Sequence, residues 1–149
     1  MKRKEQLIPL SREHQQSLAL AKKCIDISQS NDRALISAQC TRVVQMFDEI
    51  WENHFAIEEQ TLFNLASSYS DQLRCLCDDL VSQHQLLREM KQQMQQGDYS
   101  NLEKFGMILK THTRTEEREL FPQVERFFSQ DDLNEVFRSS GEKKVKKYG

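Results

Sequence analysis

His54-Phe-Ala-Ile-Glu-Glu-Gln-Thr-Leu-Phe63 occurs a second time, with changes, as His112-Thr-Arg-Thr-Glu-Glu-Arg-Glu-Leu-Phe121 in this chain of 149 residues. Both stretches fit the pattern HxxxEExxLF, so that five of the ten positions are identical. In each, a Glu follows the His after four residues, a spacing that places both side chains on one face of an α-helix. The second Glu, Glu59 or Glu117, lies five residues after the His and is expected to face solvent. The repeat therefore predicts two similar helices, each with a His and a Glu on its apolar face.

Apolar residues recur at spacings of three and four along four segments of the chain, which is typical of amphipathic helices. Polar turns separate these segments, and only 2 Pro and 4 Gly are present to interrupt them. The predicted helices cover about residues 11–28, 32–66, 71–96 and 100–122, and a shorter helix covers about residues 131–139. Ser11 is a candidate N-cap of the first helix, and Pro122 is expected to bend or shorten the fourth.

Four long helices joined by short turns predict an all-α fold, an antiparallel up-down-up-down four-helix bundle with a short C-terminal helix. Residues 1–149 are expected to form one domain, with the bundle over about residues 9–128 and a basic tail over residues 141–149. An all-β fold is excluded, because a sandwich or barrel needs turn residues about every 8–12 positions.

Composition and charge favour a cytoplasmic protein without a membrane or nucleic-acid partner. The chain has no run of about 18 apolar residues that could span a bilayer, and its first ten residues lack the apolar core of a signal peptide. The net charge of -2 is unevenly distributed: residues 1–5 carry +2 and residues 142–149 carry +3, which leaves -7 on the body between them and disfavours nucleic acid. The four cysteines have no CxxC spacing and are expected to be reduced thiols. They are Cys24, Cys40, Cys75 and Cys77.

The chain has four His, and each lies on the apolar face of a different predicted helix. They are His14, His54, His84 and His112. The second and fourth helices of an up-down bundle are diagonal partners that run in the same direction, so the two His-Glu pairs can meet at one level. His14 and His84 come from the other diagonal pair. The pattern thus predicts four imidazoles and two carboxylates, those of Glu58 and Glu116, at the bundle axis.

This set of donors predicts a metal centre. A buried carboxylate beside neutral imidazoles is costly unless a positive charge neutralises it. Six N and O donors without a thiolate suit two first-row metal ions bridged by the carboxylates better than a structural zinc. A lone His on an apolar face is more often a hydrogen-bonded core residue, and a lone HxxxE is commonly an exposed pair. Four His on four helices, two of them followed by Glu, favour the metal interpretation over a bundle without metal.

The ordered set of residues resembles the hemerythrin-like HHE cation-binding family. That family has a His in the first helix, HxxxE in the second, a His in the third, and HxxxE followed by LFP in the fourth. The resemblance covers about residues 9–128 and includes Leu120-Phe-Pro122. It implies a four-helix bundle with a non-haem di-iron centre, in which Glu58, Glu116 and an oxo or hydroxo group bridge two iron ions. Zinc or manganese could substitute for the iron.

The resemblance also supplies a contrast with the oxygen-carrying hemerythrins. Those proteins have a further His one turn after the third-helix His, where this chain has Arg88, and their last carboxylate is an Asp at i+5. Reversible oxygen carriage is therefore not expected. The set of four His and two Glu is more similar to that of the iron-centre repair di-iron proteins. Arg88 is interpreted as a donor to a bridging carboxylate, a guard of the ligand path or a surface ion pair.

Three hypotheses on function follow. The first is a di-iron protein that binds, senses or detoxifies O2, NO or peroxide, or takes part in iron handling and repair. The second is a metal-regulated protein-interaction module without redox chemistry, in which the basic stretch of residues 143–147 meets a partner. The third is an oxidase or peroxidase, for which the sequence identifies no substrate pocket. Enzyme activity and oligomeric state stay open at this point.

Overall fold

A computed structural model of the chain describes residues 3–148, and for residues 141–148 it gives the helical backbone only. Within this range the chain forms five helices and no strand, which confirms the all-α prediction. The helices are α1 (Ile8–Gln29), α2 (residues 33–67), α3 (Asp71–Gln95), α4 (residues 102–127) and α5 (Gln130–Tyr148). A 3-10 turn, Glu5–Leu7, precedes α1. The side chains of the predicted basic tail lie outside the described residues.

The first four helices form the predicted antiparallel bundle. α1 packs against α2 and α4, and α3 packs against the same two helices, so that α1 and α3 are diagonal partners, as are α2 and α4. α5 covers one end of the bundle and continues beyond the predicted residues 131–139. No helix among residues 3–148 combines the length and the apolar character that a bilayer span requires.

Side chains that accept backbone hydrogen bonds begin two of the helices. The Asp32 carboxylate accepts from the N–H groups of Ala34 and Leu35, and the Ser70 hydroxyl accepts from the N–H of Leu73. The predicted N-cap role of Ser11 is wrong, because α1 begins three residues earlier at Ile8 and carries Pro9 in its first turn. Proline is well tolerated there, since its missing N–H is one that a first turn leaves unpaired in any case.

Three π-helical segments interrupt the α-helical hydrogen bonding of α2 and α4. They are Phe47–Trp51 and Glu58–Leu62 in α2, and Glu116–Leu120 in α4. Phe63 donates its N–H to the Glu58 carbonyl, and Phe121 donates to the Glu116 carbonyl, across five residues in both cases. Pro122 lies in the first turn of the α-helical segment Phe121–Phe127, which follows the second of these bonds. The fourth helix therefore continues to Phe127 and is not shortened at Pro122.

The apolar core consists of two clusters with a polar layer between them. One cluster lies towards α5 and includes Leu62, Leu120 and Leu133. The other lies towards the opposite end of the bundle and includes Phe47, Leu87 and Phe105. The four His and the two Glu of the HxxxE pairs are buried and belong to neither cluster. A bundle core that is interrupted by a charged layer needs a compensating interaction in that layer.

Candidate metal centre

The structure brings the six predicted site residues together at the level between the two apolar clusters. Each of the four helices of the bundle contributes, and every one of these side chains is buried, with at most 3% of any residue exposed. We call this set the His-Glu cluster; it consists of His14, His54, Glu58, His84, His112 and Glu116. Its ligand atoms form two groups that share both carboxylates, and within each group they lie within 4.8 Å of one another.

The two groups define two halves of the cluster. The α1/α2 half contains His14 and His54, whose Nε2 atoms are 3.2 Å apart. The α3/α4 half contains His84 and His112, whose Nε2 atoms are 3.0 Å apart. Both Glu58 and Glu116 belong to each half. Because every imidazole points its Nε2 inward, the four rings present the nitrogen that a metal ion would bind.

Each carboxylate extends one oxygen towards each half. Oε2 of Glu58 lies 3.2 Å from His54 Nε2 and 3.6 Å from His14 Nε2, whereas its Oε1 lies 3.1 Å from His84 Nε2. Glu116 repeats this arrangement, with Oε2 at 2.7 Å from His14 Nε2 and Oε1 at 2.9 Å from His112 Nε2. Two carboxylates oriented in this way are suited to bridge a pair of cations.

The hydrogen bonding of the carboxylates fits a cation. Both oxygens of Glu58 and both oxygens of Glu116 are buried, and none has a hydrogen-bond partner with suitable geometry among the described residues. The imidazole Nε2 atoms lie 2.7–3.6 Å from these oxygens, which places the carboxylates beside groups that bind either a proton or a metal ion. Two buried anionic groups are costly unless a positive charge neutralises them. A pair of divalent cations between the carboxylates and the imidazoles would remove that cost.

Without a cation, His14, His54 and His84 each bind a proton more tightly than a free imidazole does. Burial alone would lower the pKa of His54, but the adjacent Glu58 carboxylate overrides this effect and raises the pKa to about 9. Burial also opposes protonation of His14 and His84, yet Glu116 and Glu58 raise their pKa values as well. Burial alone would raise the pKa of Glu58, but His54 holds it well below its usual range. Protons thus supply the positive charge that the carboxylates attract.

The outward-facing Nδ1 atom of each His has its own hydrogen-bond partner. Glu117 lies 2.6 Å from His14 Nδ1, and Glu59 lies 2.7 Å from His84 Nδ1. A second pair of partners comes from the residues that precede His14 and His84. Glu13 lies 3.1 Å from His54 Nδ1, and Gln83 lies 2.7 Å from His112 Nδ1. Such partners fix the ring orientation and, in neutral rings, keep the proton on Nδ1 and the lone pair on Nε2.

The prediction that Glu59 and Glu117 face solvent is wrong. Their side chains are only 26% and 27% exposed, and both bind a ring of the His-Glu cluster. The prediction assumed α-helical geometry, in which successive side chains turn by about 100°. Each of these residues lies in a π-helical segment, whose wider turn rotates successive side chains by less. The second Glu of each repeat therefore reaches the outward-facing Nδ1 atom of a cluster imidazole instead of facing solvent.

Two arginines bind the carboxylates of Glu59 and Glu117. Arg88 donates from both terminal nitrogens to Glu59, at 3.0 and 3.3 Å, and from Nε to Glu52 at 3.1 Å. Arg3 donates to both the carbonyl and the carboxylate of Glu117, at 3.1 and 3.2 Å. Of the three interpretations of Arg88, the structure favours the ion pair, which Arg88 forms with Glu59 and Glu52. The carboxylates that would bridge the metal ions are not among its partners in the described residues. Each half of the cluster thus has an Arg-Glu-His chain.

Several of these partners were not predicted from the sequence, although some of them leave a signal in it. Both copies of the pattern HxxxEExxLF contain the second Glu as well as the first, and this repetition indicates a role in the site for Glu59 and Glu117 too. Glu13 and Gln83 occupy equivalent positions, because Glu13 directly precedes His14 and Gln83 directly precedes His84. Arg3 has no such signal, because its contact with Glu117 depends on how the residues before α1 cross the end of α4.

Comparison with known proteins identifies the family of this chain. The family model described as the hemerythrin HHE cation binding domain matches residues 9–125. This range contains all six residues of the His-Glu cluster. A search of curated proteins and a search of solved structures gave no match.

Proposed function

The chain belongs to the hemerythrin HHE cation-binding domain family, and from this premise we propose that it is a non-haem di-iron protein. The iron pair, joined by an oxo or hydroxo bridge, would bind O2, NO or peroxide, and the protein would sense or detoxify these molecules or take part in iron handling and repair. The proposed ligands are His14, His54, Glu58, His84, His112 and Glu116.

One observation carries this proposal, the orientation of the two carboxylates. Each of them extends one oxygen towards each half of the His-Glu cluster, and none of the four oxygens has a hydrogen-bond partner with suitable geometry among residues 3–148. The set has no thiolate and offers more donors than one tetrahedral zinc uses, which favours a pair of iron or manganese ions. Iron, when bound, supplies one-electron redox chemistry and coordination positions for a small ligand.

The protein residues position the ligands and exclude water. Phe55 stacks on the His84 ring with centroids 3.8 Å apart, and Phe121 lies beside the His14 ring with centroids 5.3 Å apart. The Nδ1 partners hold each ring in place from the outer side. A site enclosed in this way accepts a diatomic molecule or peroxide more readily than a large substrate.

Metal analysis of the protein purified from iron-replete cells tests this function. We expect about two iron ions per chain and near-ultraviolet absorption from charge transfer between a bridging oxo group and ferric iron. Spectra recorded after reduction, and then after exposure to O2, NO or peroxide, identify the small ligand. The Glu116→Gln variant keeps the shape of the side chain and removes its charge, so we expect it to lose most of the iron.

Glu119→Gln is the matched control, because Glu119 lies in the same helix but is exposed. This variant should keep the iron content and the spectrum of the wild-type protein. Full iron retention in Glu116→Gln and in Glu58→Gln would defeat the assignment, and stoichiometric zinc without iron would redirect it to another metal.

A further inference from the structure

The two halves of the His-Glu cluster are related by an approximate twofold pattern. α1 corresponds to α3, and α2 corresponds to α4, so that His14 matches His84 and His54 matches His112. Their outer partners follow the same pattern. Glu117 on His14 matches Glu59 on His84, and each of these carboxylates is held by an arginine.

The pattern breaks at one pair of outer partners. His54 Nδ1 contacts the carboxylate of Glu13, whereas His112 Nδ1 contacts the amide oxygen of Gln83. The Glu13 side chain is only 15% exposed, so its charge is partly shielded from water. The two Nδ1 atoms of the α1/α2 half therefore both contact a carboxylate, and one of these carboxylates is bound by Arg3. In the α3/α4 half only one Nδ1 atom contacts a carboxylate, which Arg88 binds.

A difference of this kind between outer partners alters how strongly an imidazole binds a metal ion. A carboxylate that accepts the Nδ1 proton makes the imidazole a more basic ligand, and its negative charge attracts a cation a few Å further in. A neutral amide orients the ring equally well but supplies no net charge. Changes to such outer partners typically alter metal affinity by about 10- to 100-fold.

We propose that the two metal positions are inequivalent and that Glu13 and Gln83 set the order in which they fill. The position at His14 and His54 takes a divalent cation first, and the position at His84 and His112 takes the second, more weakly. This inference rests on the proposed two-metal function and deepens it. One firmly held ion beside one exchangeable ion is an arrangement suited to a protein that takes up or releases iron.

Stepwise binding of Co2+ to the metal-free protein, measured by calorimetry and visible absorption, tests the inference. We expect two steps in the wild-type protein. Gln83→Glu should strengthen the second step about 10-fold or more, and Glu13→Gln should weaken the first step by a similar factor. Repulsion between the two cations contributes to the separation of the steps in every variant, so the changes between variants report the outer partners.

Two further variants make the test specific. Gln85→Glu introduces the same charge on the exposed face of α3, two residues from Gln83, and should leave both steps unchanged. His112→Ala removes a ligand of the α3/α4 half and should retain the tighter step, whereas His54→Ala should lose it. Circular dichroism of each metal-free variant verifies that it is folded.

The outcomes separate this inference from the proposed function. If the wild-type protein binds two Co2+ ions and both Glu13→Gln and Gln83→Glu keep its step constants within about twofold, the inference fails and the two-metal function stands. If the wild-type protein binds neither Co2+ nor iron, both fail. A Gln85→Glu effect as large as that of Gln83→Glu would also overturn the inference, because general surface charge would then explain it.

Discussion

Arg88 acts on the His-Glu cluster through Glu59, and a substitution can isolate this role. Arg88→Met removes the cation that holds Glu59, so that this partly buried carboxylate keeps its contact with the His84 ring but loses the two N–H donors that Arg88 supplies. We expect the free energy of unfolding to fall by about 1–3 kcal/mol, which urea denaturation of the metal-free protein measures. Arg88→Lys keeps the charge but cannot donate from two terminal nitrogens, so its stability should lie between those of the wild-type protein and Arg88→Met. A denaturation midpoint of Arg88→Met equal to that of the wild type would contradict the role.

At the residue scale, sequence reasoning identified the six members of the His-Glu cluster because their spacing is a property of regular helices. Helical periodicity places His54 and Glu58 on one face whatever the rest of the chain does. It failed for Glu59 because the hydrogen-bonding pattern changes to π-helical at Glu58. It could not predict the pairing of Glu13 with His54, since that contact depends on the packing of α1 against α2.

At the element scale, Gly106 determines how closely α1 and α4 approach each other. A Cβ atom at Gly106 would lie 2.8 Å from the Ala21 carbonyl oxygen and 2.9 Å from a side-chain carbon of Ile25. The backbone atom cannot move without a shift of the whole helix. Because α1 carries His14 and α4 carries Glu116, such a shift would separate two members of the His-Glu cluster that are in close contact.

Gly106→Ala should therefore cost about 1–3 kcal/mol of stability and also weaken iron binding. Gly97→Ala is the matched comparison. Gly97 has a φ of 90° and open space around it, so its substitution destabilises through the backbone conformation and leaves the cluster untouched. Urea denaturation and iron content should be measured for both variants. Equal iron retention in the two proteins would argue against a link between the α1/α4 approach and the metal centre.

The boundaries of the elements show the limit of sequence reasoning at this scale. The apolar spacing predicted each helix of the bundle to within a few residues, but not how α1 begins or how α4 continues past Pro122. Serine is one of the residue types preferred at helix N-caps, yet the Ser11 hydroxyl donates to the Glu117 carboxylate instead. Local propensity is overridden here, because the residues before Ser11 gain contacts with the apolar cluster that Leu7 and Leu10 join.

At the scale of the whole molecule, the His-Glu cluster links stability to pH. The pKa of His54 rises from 6.5 to about 9 in the folded protein, and those of His14 and His84 rise as well. Stability from a raised pKa is fully present below the unfolded value of 6.5 and is lost as the pH rises through the folded value. The lowered pKa of Glu58 has the opposite sign, since its contribution is present above 4.5 and is lost as the pH falls. The contributions of these four groups to the stability of the metal-free bundle should thus be greatest between about pH 4.5 and 6.5.

Bound metal ions should reverse the loss of stability that the metal-free protein shows above pH 6.5. Cations bind neutral imidazoles and ionised carboxylates, so raising the pH from 6.5 to 9 removes competing protons and strengthens metal binding. We expect the unfolding temperature of the metal-free protein to fall over this range, by roughly 3 °C for each kcal/mol lost, while that of the iron-loaded protein stays level or rises. Thermal unfolding of both forms at several pH values measures the widening gap. A metal-free protein that gains stability between pH 6.5 and 9 would contradict the raised pKa values, and with them the idea that protons and metal ions compensate the same two buried carboxylates.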